Sequence, residues 1–185
     1  MSVYGARQLA DAFRTVRKNT VTIAEDFSAE QYGFRPTPDI RSVGEQLAHI
    51  AVAPRWQIMV HTDHIPHIDF ELFSTNLAKN TAQEQKLVTK EDIVQALVEG
   101  GEQFASFLES LTDDTLAEQV TFPPPVVPSC KPRLEMLLGV KEHEMHHRAQ
   151  LMVYQRMLGI VPHLTRRRQA MRGSAAEQQA TAAGR

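Results

Sequence analysis

The sequence predicts an all-α protein folded as an antiparallel four-helix bundle. Apolar residues recur at steps of three and four in four long segments, which is the spacing of one helix face. No Asn-Gly or Asp-Gly turn flanked by alternating apolar residues indicates a hairpin. A chain of 185 residues, of which 42% are hydrophobic, can bury one sizeable core. Four amphipathic helices around such a core are typical of a helix bundle.

The first two predicted helices lie on either side of a proline-containing turn. The first helix, from about Val3 to Phe27, carries an apolar stripe with charged residues between its members. The second begins after Ser42, which forms a capping box with Glu45. Pro54 is expected to kink this helix or to restart it as a new first turn.

The third and fourth predicted helices lie on either side of a proline-rich connector. The third follows a capping signal at Thr89, and the adjacent Gly100 and Gly101 within it indicate a close helix contact or a local bend. The fourth helix runs from about Pro132 to Leu158. The segment from His61 to Val88 is polar without a sustained period, so we expect it to be a crossover or a lid.

The charge distribution divides the chain into a predicted bundle, residues 1–162, and a predicted flexible C-terminal tail, residues 163–185. The chain has 20 Lys and Arg against 22 Asp and Glu, for a formal net charge of −2. Five of these basic residues and one acid lie from Thr165 onward, which leaves a net charge of −6 on the remainder. Such a body is not expected to bind nucleic acid, and the basic, Ala/Gln-rich tail is expected to be solvated.

The cysteine content and the hydropathy favour a soluble cytoplasmic protein. Cys130 is the single cysteine, so no internal disulfide can form. No segment approaches the roughly 20 apolar residues of a membrane span. The first residues lack the uninterrupted apolar core of a signal peptide. We therefore expect no membrane partner.

The stretch EHEMHHRAQL in the fourth helix contains His143, Glu144 and His147 in the order H-E-x-x-H. Histidines four residues apart lie on one helix face, so both imidazoles can bind one metal ion. In zinc peptidases this glutamate is the general base for a metal-bound water. Their downstream third ligand is missing here, because Gln150 and Val153 occupy the glycine and histidine positions of one peptidase class. The only later acid lies in the tail, so a third ligand must come from upstream.

His49 on the second helix is the candidate for that third ligand. It lies between Ala48 and Ile50, on the side expected to face the bundle interior. A core histidine bonded to a neighbour is the alternative role. Bundles, however, place metal sites in their cores from facing helices, commonly with a pair of ligands one turn apart. His143 and His147 supply such a pair.

These segments resemble the DinB-like superfamily, which is named for damage-inducible bacterial proteins. SVGEQLAHIA, EHEMHHRAQL and the closing YQRMLGIVP are similar to its three characteristic segments, and YGFRPTPDIRS to its lead into the second helix. The resemblance implies an up-down-down-up bundle, often dimeric, with a divalent metal ion on one second-helix histidine and a histidine pair of the last helix. Here those ligands are His49, His143 and His147. Ala149 replaces the glycine that is common in the family, which removes no ligand.

Other residues are candidates for the site around these histidines. Glu144 can relay a proton, with a surface or interface carboxylate as the alternative role. His61, His64 and His67 can form a second metal site, but their spacing fits neither a helical pair nor a zinc finger, so solvated loop positions are favoured. The candidates for lining the pocket or supporting the ligands are Trp56, His146, Gln150 and Tyr154.

The sequence therefore predicts a divalent-metal-dependent enzyme. Three neutral imidazoles leave the ion its 2+ charge and an open position, so the ion can activate water or hold a thiolate nucleophile. The resemblance implies thiol chemistry, since the superfamily includes bacillithiol transferases and mycothiol-dependent maleylpyruvate isomerase. The predicted activity is attack of a low-molecular-weight thiol cosubstrate, or of water, on a small electrophile. The alternatives are a non-catalytic metal-binding module of the stress response and, third, an H-E-x-x-H hydrolase.

The metal and the oligomeric state stay open. Three imidazoles suit zinc, nickel, iron or copper. A second apolar face on the fourth helix indicates a homodimer, with a monomer whose loops fold over this face as the alternative. This face comprises Leu134, Leu138, Met145, Ala149 and Met152.

Overall fold

The protein is mostly helical in the computed structural model, which describes the backbone of residues 4–183 and the side chains of residues 4–174. A short 3-10 helix spans Ala29–Gly33, and a small antiparallel sheet pairs β1 (Gln119–Thr121) with β2 (Cys130–Pro132). None of the described helices combines the length and apolar character needed to cross a bilayer. The α-helices are α1 (Ala6–Asp26), α2 (Val43–Val52), α3 (Pro54–Thr62), α4 (Phe70–Glu84), α5 (Lys90–Glu109), α6 (Asp113–Ala117), α7 (Arg133–Met157) and α8 (His163–Ala183).

Four of these helices, α1, α2, α5 and α7, form the predicted bundle, and α3 continues α2. Hydrogen bonds between the helices give their directions: α1 is antiparallel to α5 and parallel to α7, and α2 is antiparallel to α7. The topology is therefore up-down-down-up, as predicted. The pairs are Arg14–Glu102 and Phe27–Lys90 for α1 and α5, Arg17–Glu144 and Asp26–Gln155 for α1 and α7, and Gln46–Gln150 and His49–His143 for α2 and α7.

The core consists of three clusters of buried apolar side chains. The first includes Leu47, Leu97 and Leu151, from three helices of the bundle. The second lies around Phe13 and Phe104, whose rings pack edge to face with centroids 4.8 Å apart. The third is a smaller cluster between the end of α3 and the sheet. Each buried side chain of this size stabilises the fold by roughly 1.5–3 kcal/mol relative to exposure.

Gly101 on α5 makes room in this core for a buried arginine, so the adjacent glycines do mark a close helix contact. A Cβ atom at position 101 would lie 2.5 Å from Arg17 Cγ. We expect Gly101→Ala to reduce the free energy of unfolding by about 1–3 kcal/mol, because the arginine would have to shift in a packed interior. Urea unfolding of the purified variant measures this loss.

Gly139 on α7 provides the matched control for Gly101. A Cβ atom there would meet nothing within 4 Å beyond its own helix backbone. Gly139→Ala is therefore expected to stabilise the protein by up to about 1 kcal/mol through helix propensity alone. Equal stabilisation by the two substitutions would contradict the close packing around Gly101.

The segment between the second and third predicted helices is more regular than its sequence indicates. The segment from His61 to Val88, which was expected to be a crossover or a lid, contains the 15-residue helix α4. Three of its four large apolar side chains, Phe70, Phe73 and Leu77, are at least half exposed, whereas Leu72 packs against the third cluster and Asn76 is buried. Because the side of α4 that faces the protein is largely polar, apolar periodicity did not predict this helix.

The structure confirms the prediction for Pro54 but does not test the predictions for the C-terminal tail. Pro54 restarts the chain as α3 one residue after α2 ends, as expected. The segment after Pro162 is helical, and the side chain of Arg166 bonds to Asp26 at 2.8 Å. The domain boundary at 162 and the flexibility of the tail stay predictions.

The second apolar face of α7 is partly covered within this chain. Leu134 and Leu138 pack against the second cluster, and Met152 packs against the first. Met145 and Ala149 are exposed. The homodimer through this face stays a prediction.

Candidate metal centre

Three histidines from two facing helices come together between α2 and α7. Nε2 of His143 lies 3.0 Å from Nε2 of His49 and 3.1 Å from Nε2 of His147. The ring centroids of the three pairs lie 4.4–4.9 Å apart. These are the three ligands predicted from the sequence, and the structure brings them together.

A carboxylate fixes the ring of His49. Its Nδ1 lies 2.8 Å from Oε1 of Glu84, the last residue of α4, and both side chains are about four-fifths buried. Because an ionised carboxylate can only accept, Nδ1 carries the proton and donates it. The lone pair of His49 is then on Nε2, which faces the other two histidines. Metal-binding histidines are commonly oriented by such a carboxylate.

Two side-chain amides fix the ring of His147. Its Nδ1 donates to Oε1 of Gln150 at 3.0 Å, and the side-chain amide of Gln46 contacts the same nitrogen. Gln46 Nε2 also donates to Gln150 Oε1 at 2.9 Å, which ties α2 to α7 beside the ring. In the tautomer in which Nδ1 donates to Gln150, Nε2 of His147 is also the nitrogen with the free lone pair.

Burial keeps the imidazoles of His143 and His147 neutral. Desolvation, together with the neighbouring His147 and His49, lowers the pKa of His143 to about 4. Desolvation likewise lowers the pKa of His147, although its bond to Gln150 acts in the opposite direction. Neutral imidazole is the form that binds metal, so the site is ready for a cation at neutral pH.

The donor set and its spacing fit a divalent ion. In tetrahedral zinc sites each metal–nitrogen bond is about 2.0–2.1 Å, which places neighbouring ligand nitrogens about 3.3 Å apart. The two measured separations of 3.0 and 3.1 Å are close to this value. Among the residues with described side chains, these three histidines are the group with metal-ligating geometry. Three imidazoles would hold the ion and leave a position for another ligand.

Glu84 was missed by the sequence analysis, and it provides a direct test of the site. We expect Glu84→Ala to weaken metal binding about 10- to 100-fold, because outer carboxylates of metal-bound histidines have effects of this size. Chelator competition on the purified variant measures the dissociation constant. Gln85→Ala, an exposed change one residue along, is the control and should bind metal like the wild type. Unchanged affinity in Glu84→Ala would contradict the orienting role.

Glu144 does not face the three histidines. It is 2% exposed, and its carboxylate accepts from Arg17 Nε at 3.0 Å and from Thr20 Oγ1 at 2.6 Å. Of the alternative role, a surface or interface carboxylate, the surface position is wrong. Because both oxygens are bonded to α1, the arrangement favours a structural ion pair over the proton relay proposed from the H-E-x-x-H pattern.

The other four candidates take different positions. Gln150 supports His147 as described, whereas His146 is exposed, with its ring centroid 5.0 Å from that of His147 and its Nε2 3.4 Å from Gln150 Nε2. Tyr154 is 4% exposed and donates to the carbonyl oxygen of Arg41 at 3.3 Å. Trp56 packs in the third cluster, with its ring centroid 6.0 Å from that of Phe73. Of the four, Gln150 is the one that bonds a histidine of the triad.

The side chains of His61, His64 and His67 do not meet at one point. His61 is 1% exposed at the end of α3, so its predicted loop position was wrong, and burial lowers its pKa to about 4. Nδ1 of His64 lies 3.2 Å from Glu118, and Nδ1 of His67 lies 2.8 Å from Thr121 Oγ1. Both are exposed. No second metal-ligating group occurs among the side chains that the structure describes.

The fold and the site together define a class: up-down-down-up four-helix bundles with a histidine triad between the second and last bundle helices. The family model of the DinB superfamily matches residues 12–151. The chain belongs to the DinB superfamily.

A curated relative and two solved structures agree with this assignment. The uncharacterized protein YjoA of Bacillus subtilis is 24% identical over 157 residues, which cover 83% of this chain and 91% of YjoA. The crystal structure of YjoA, described as a DinB-like protein, matches with a TM-score of 0.61 at 23% identity, over 82% of this chain and 92% of its own.

The second solved structure is YfiT from Bacillus subtilis, described as a probable metal-dependent hydrolase with an unusual four-helix bundle topology. It matches with a TM-score of 0.64 over 86% of this chain and 91% of its own. Its sequence identity of 14% means that the likeness is one of fold.

Proposed function

We propose that the protein is a divalent-metal-dependent enzyme in which the ion at His49, His143 and His147 activates water or a low-molecular-weight thiol for attack on a small electrophile. The observation that carries this proposal is the convergence of three Nε2 atoms, two of them 3.0 and 3.1 Å from the third. A site with three protein ligands is typical of catalytic metal centres, which keep one position for water or substrate.

The bound ion would supply a Lewis acid that lowers the pKa of a coordinated water or thiol toward neutrality. The chain's own residues hold the ligands for it. Glu84 and Gln150 retain the Nδ1 protons of His49 and His147, so that the lone pairs stay on the Nε2 atoms. Because all three ligands are neutral, the ion keeps its full charge for the nucleophile.

Water and thiol have different support. The description of YfiT as a probable metal-dependent hydrolase favours water. The thiol rests on the resemblance to bacillithiol transferases and mycothiol-dependent maleylpyruvate isomerase. A peptidase mechanism has less support, because Glu144, the expected base, is bonded to Arg17 and Thr20.

The test is a matched pair of assays on protein reconstituted anaerobically with zinc, nickel or ferrous iron. One assay follows hydrolysis of nitrophenyl esters and phosphates, and the other follows consumption of bacillithiol, mycothiol or glutathione with a model electrophile. We expect turnover in one assay, abolished by chelation and by His147→Ala. The exposed substitution His67→Ala serves as the control.

The two assays separate the alternatives. Turnover with water alone defines a hydrolase, and turnover that requires a thiol defines a transferase. Stoichiometric metal without turnover in either assay would favour the non-catalytic module. Turnover that persists without metal would overturn the proposal.

A further inference from the structure

We propose that Arg17 is a positioning residue that holds α2 and α7 in the register in which the three Nε2 atoms meet. The inference rests on the proposed metal site. Arg17 is on α1, outside both ligand-bearing helices, and it is 4% exposed. Its guanidinium nevertheless bonds to α2, α5 and α7 at once.

The bonds to α7 are made beside the ligands. Arg17 Nε lies 3.0 and 3.1 Å from the two oxygens of Glu144, and Nη2 lies 2.9 Å from Oε2. Glu144 directly follows His143 and precedes His147 by three residues. Thr20 Oγ1, one turn along α1, donates to the same carboxylate at 2.6 Å. These bonds fix the rotation of α7 about its axis at the turn that carries both ligands.

The bond to α2 is also made beside a ligand. Arg17 Nη2 donates to the carbonyl oxygen of Ile50 at 3.3 Å, and Ile50 directly follows His49. Nη1 donates to the carbonyl oxygen of Leu97 on α5 at 2.8 Å. One planar group thus joins the residue after His49 to the residue after His143. Since a metal site needs its ligand atoms within about 0.5 Å of the productive geometry, this link bears directly on ion binding.

The surroundings of Arg17 allow it one position. Gly101 leaves the space into which its stem fits, with a Cβ there only 2.5 Å from Arg17 Cγ. Its Cζ atom lies 5.2 Å from the centre of the Phe13 ring. Replacing a buried ion pair with apolar residues often leaves stability unchanged or higher, so stability alone does not account for such a pair. Fixing the helix register does account for it.

The experiment replaces both partners together, Arg17→Met with Glu144→Leu, so that neither member of this pair is left as a buried charge without the other. Zinc affinity is measured by chelator competition, and ligand geometry by the visible absorption of the cobalt(II) form. We expect zinc affinity at least about tenfold weaker than in the wild type and an altered cobalt spectrum. Wild-type affinity and spectrum in the folded double variant would overturn the positioning role.

Two further variants keep the result interpretable. Gly101→Ala displaces Arg17 while both charges remain, so it should also weaken zinc binding, and it serves if the double variant does not fold. Leu108→Ala in the second cluster destabilises the core elsewhere, and it should bind zinc like the wild type. Equal weakening in Leu108→Ala would mean that general destabilisation, not register, explains the loss.

The outcome also distinguishes this inference from the proposed function. Wild-type protein that binds no zinc through its histidines would overturn both. Wild-type protein that binds zinc, together with a double variant that binds it equally, would overturn the positioning role alone.

Discussion

Replacing His143 with alanine is expected to remove most of the divalent ion that purified wild-type protein binds. Its Nε2 lies within 3.1 Å of both other ligand atoms, so it is the central member of the triad. Loss of an outer hydrogen bond alone weakens metal sites about 10- to 100-fold, and loss of a ligand should weaken binding by more than that. Elemental analysis after gel filtration, and chelator competition for the dissociation constant, measure the effect.

His49→Ala and His147→Ala should give losses of similar size, because the three ligands act as one set. His64→Ala is the control, since this histidine is exposed and bonds to Glu118 away from the triad. If His49→Ala kept its metal while the other two variants lost theirs, the second helix would not supply the third ligand. Circular dichroism on each variant separates loss of metal from loss of fold.

Arg133→Ala is expected to reduce the free energy of unfolding by about 3 kcal/mol or more. Arg133 begins α7 and is 1% exposed. It donates to Glu118 at 2.7 Å, to the carbonyl oxygen of Ile65 at 3.2 Å, and lies 3.0 Å from Nδ1 of His61. Its removal leaves buried acceptors without a donor, at roughly 1–3 kcal/mol each, and opens a cavity. Urea unfolding gives the difference in the free energy of unfolding.

Lys131→Ala is the matched control, because Lys131 lies two residues earlier and pairs with Glu135 at the surface. Exposed pairs of this kind contribute little, so this variant should unfold close to the wild type. A loss in Lys131→Ala as large as that in Arg133→Ala would show that charge, not burial, sets the effect. If Arg133→Ala unfolded at the same urea concentration as the wild type, the result would contradict the stabilising role of the buried hydrogen bonds of Arg133.

The bundle and the triad were predictable because both depend on spacing along single helices. Apolar residues at steps of three and four define the bundle helices, and His143 and His147 one turn apart define a metal-binding face. His49 required one further step, the expectation that its side of the second helix faces inward. The resemblance to the DinB-like superfamily chose the same three residues.

The supporting residues were less predictable, because their roles depend on how separate segments pack. Glu84 bonds to His49 from α4, a helix whose inner side is largely polar and therefore carries no sustained apolar period. Gln46 is buried in the structure. The sequence carried one signal for it, because Gln46 lies one helical turn before His49 and therefore on the same side of the second helix.

Glu144 shows the limit of a short motif. Within H-E-x-x-H its position suggests a base, but the 100° rotation per residue turns it from the face of His143 toward α1. Arg17 gives no sign of its burial in the sequence, since it lies among charged residues of an amphipathic helix. Such contacts between residues far apart in the sequence require the three-dimensional packing.

The hydrogen bond from His49 to Glu84 would couple the binding of an ion by the triad to the packing of α4 against the bundle. Coupling between two equilibria is reciprocal. If Glu84 increases the affinity for the ion by a given free energy, a bound ion stabilises the packing of α4 against the bundle by the same amount. The metal-loaded and metal-free proteins would then differ in how often α4 opens, even with an identical bundle. A bound ion would therefore stabilise α4, the helix beside the site, in addition to acting on any substrate.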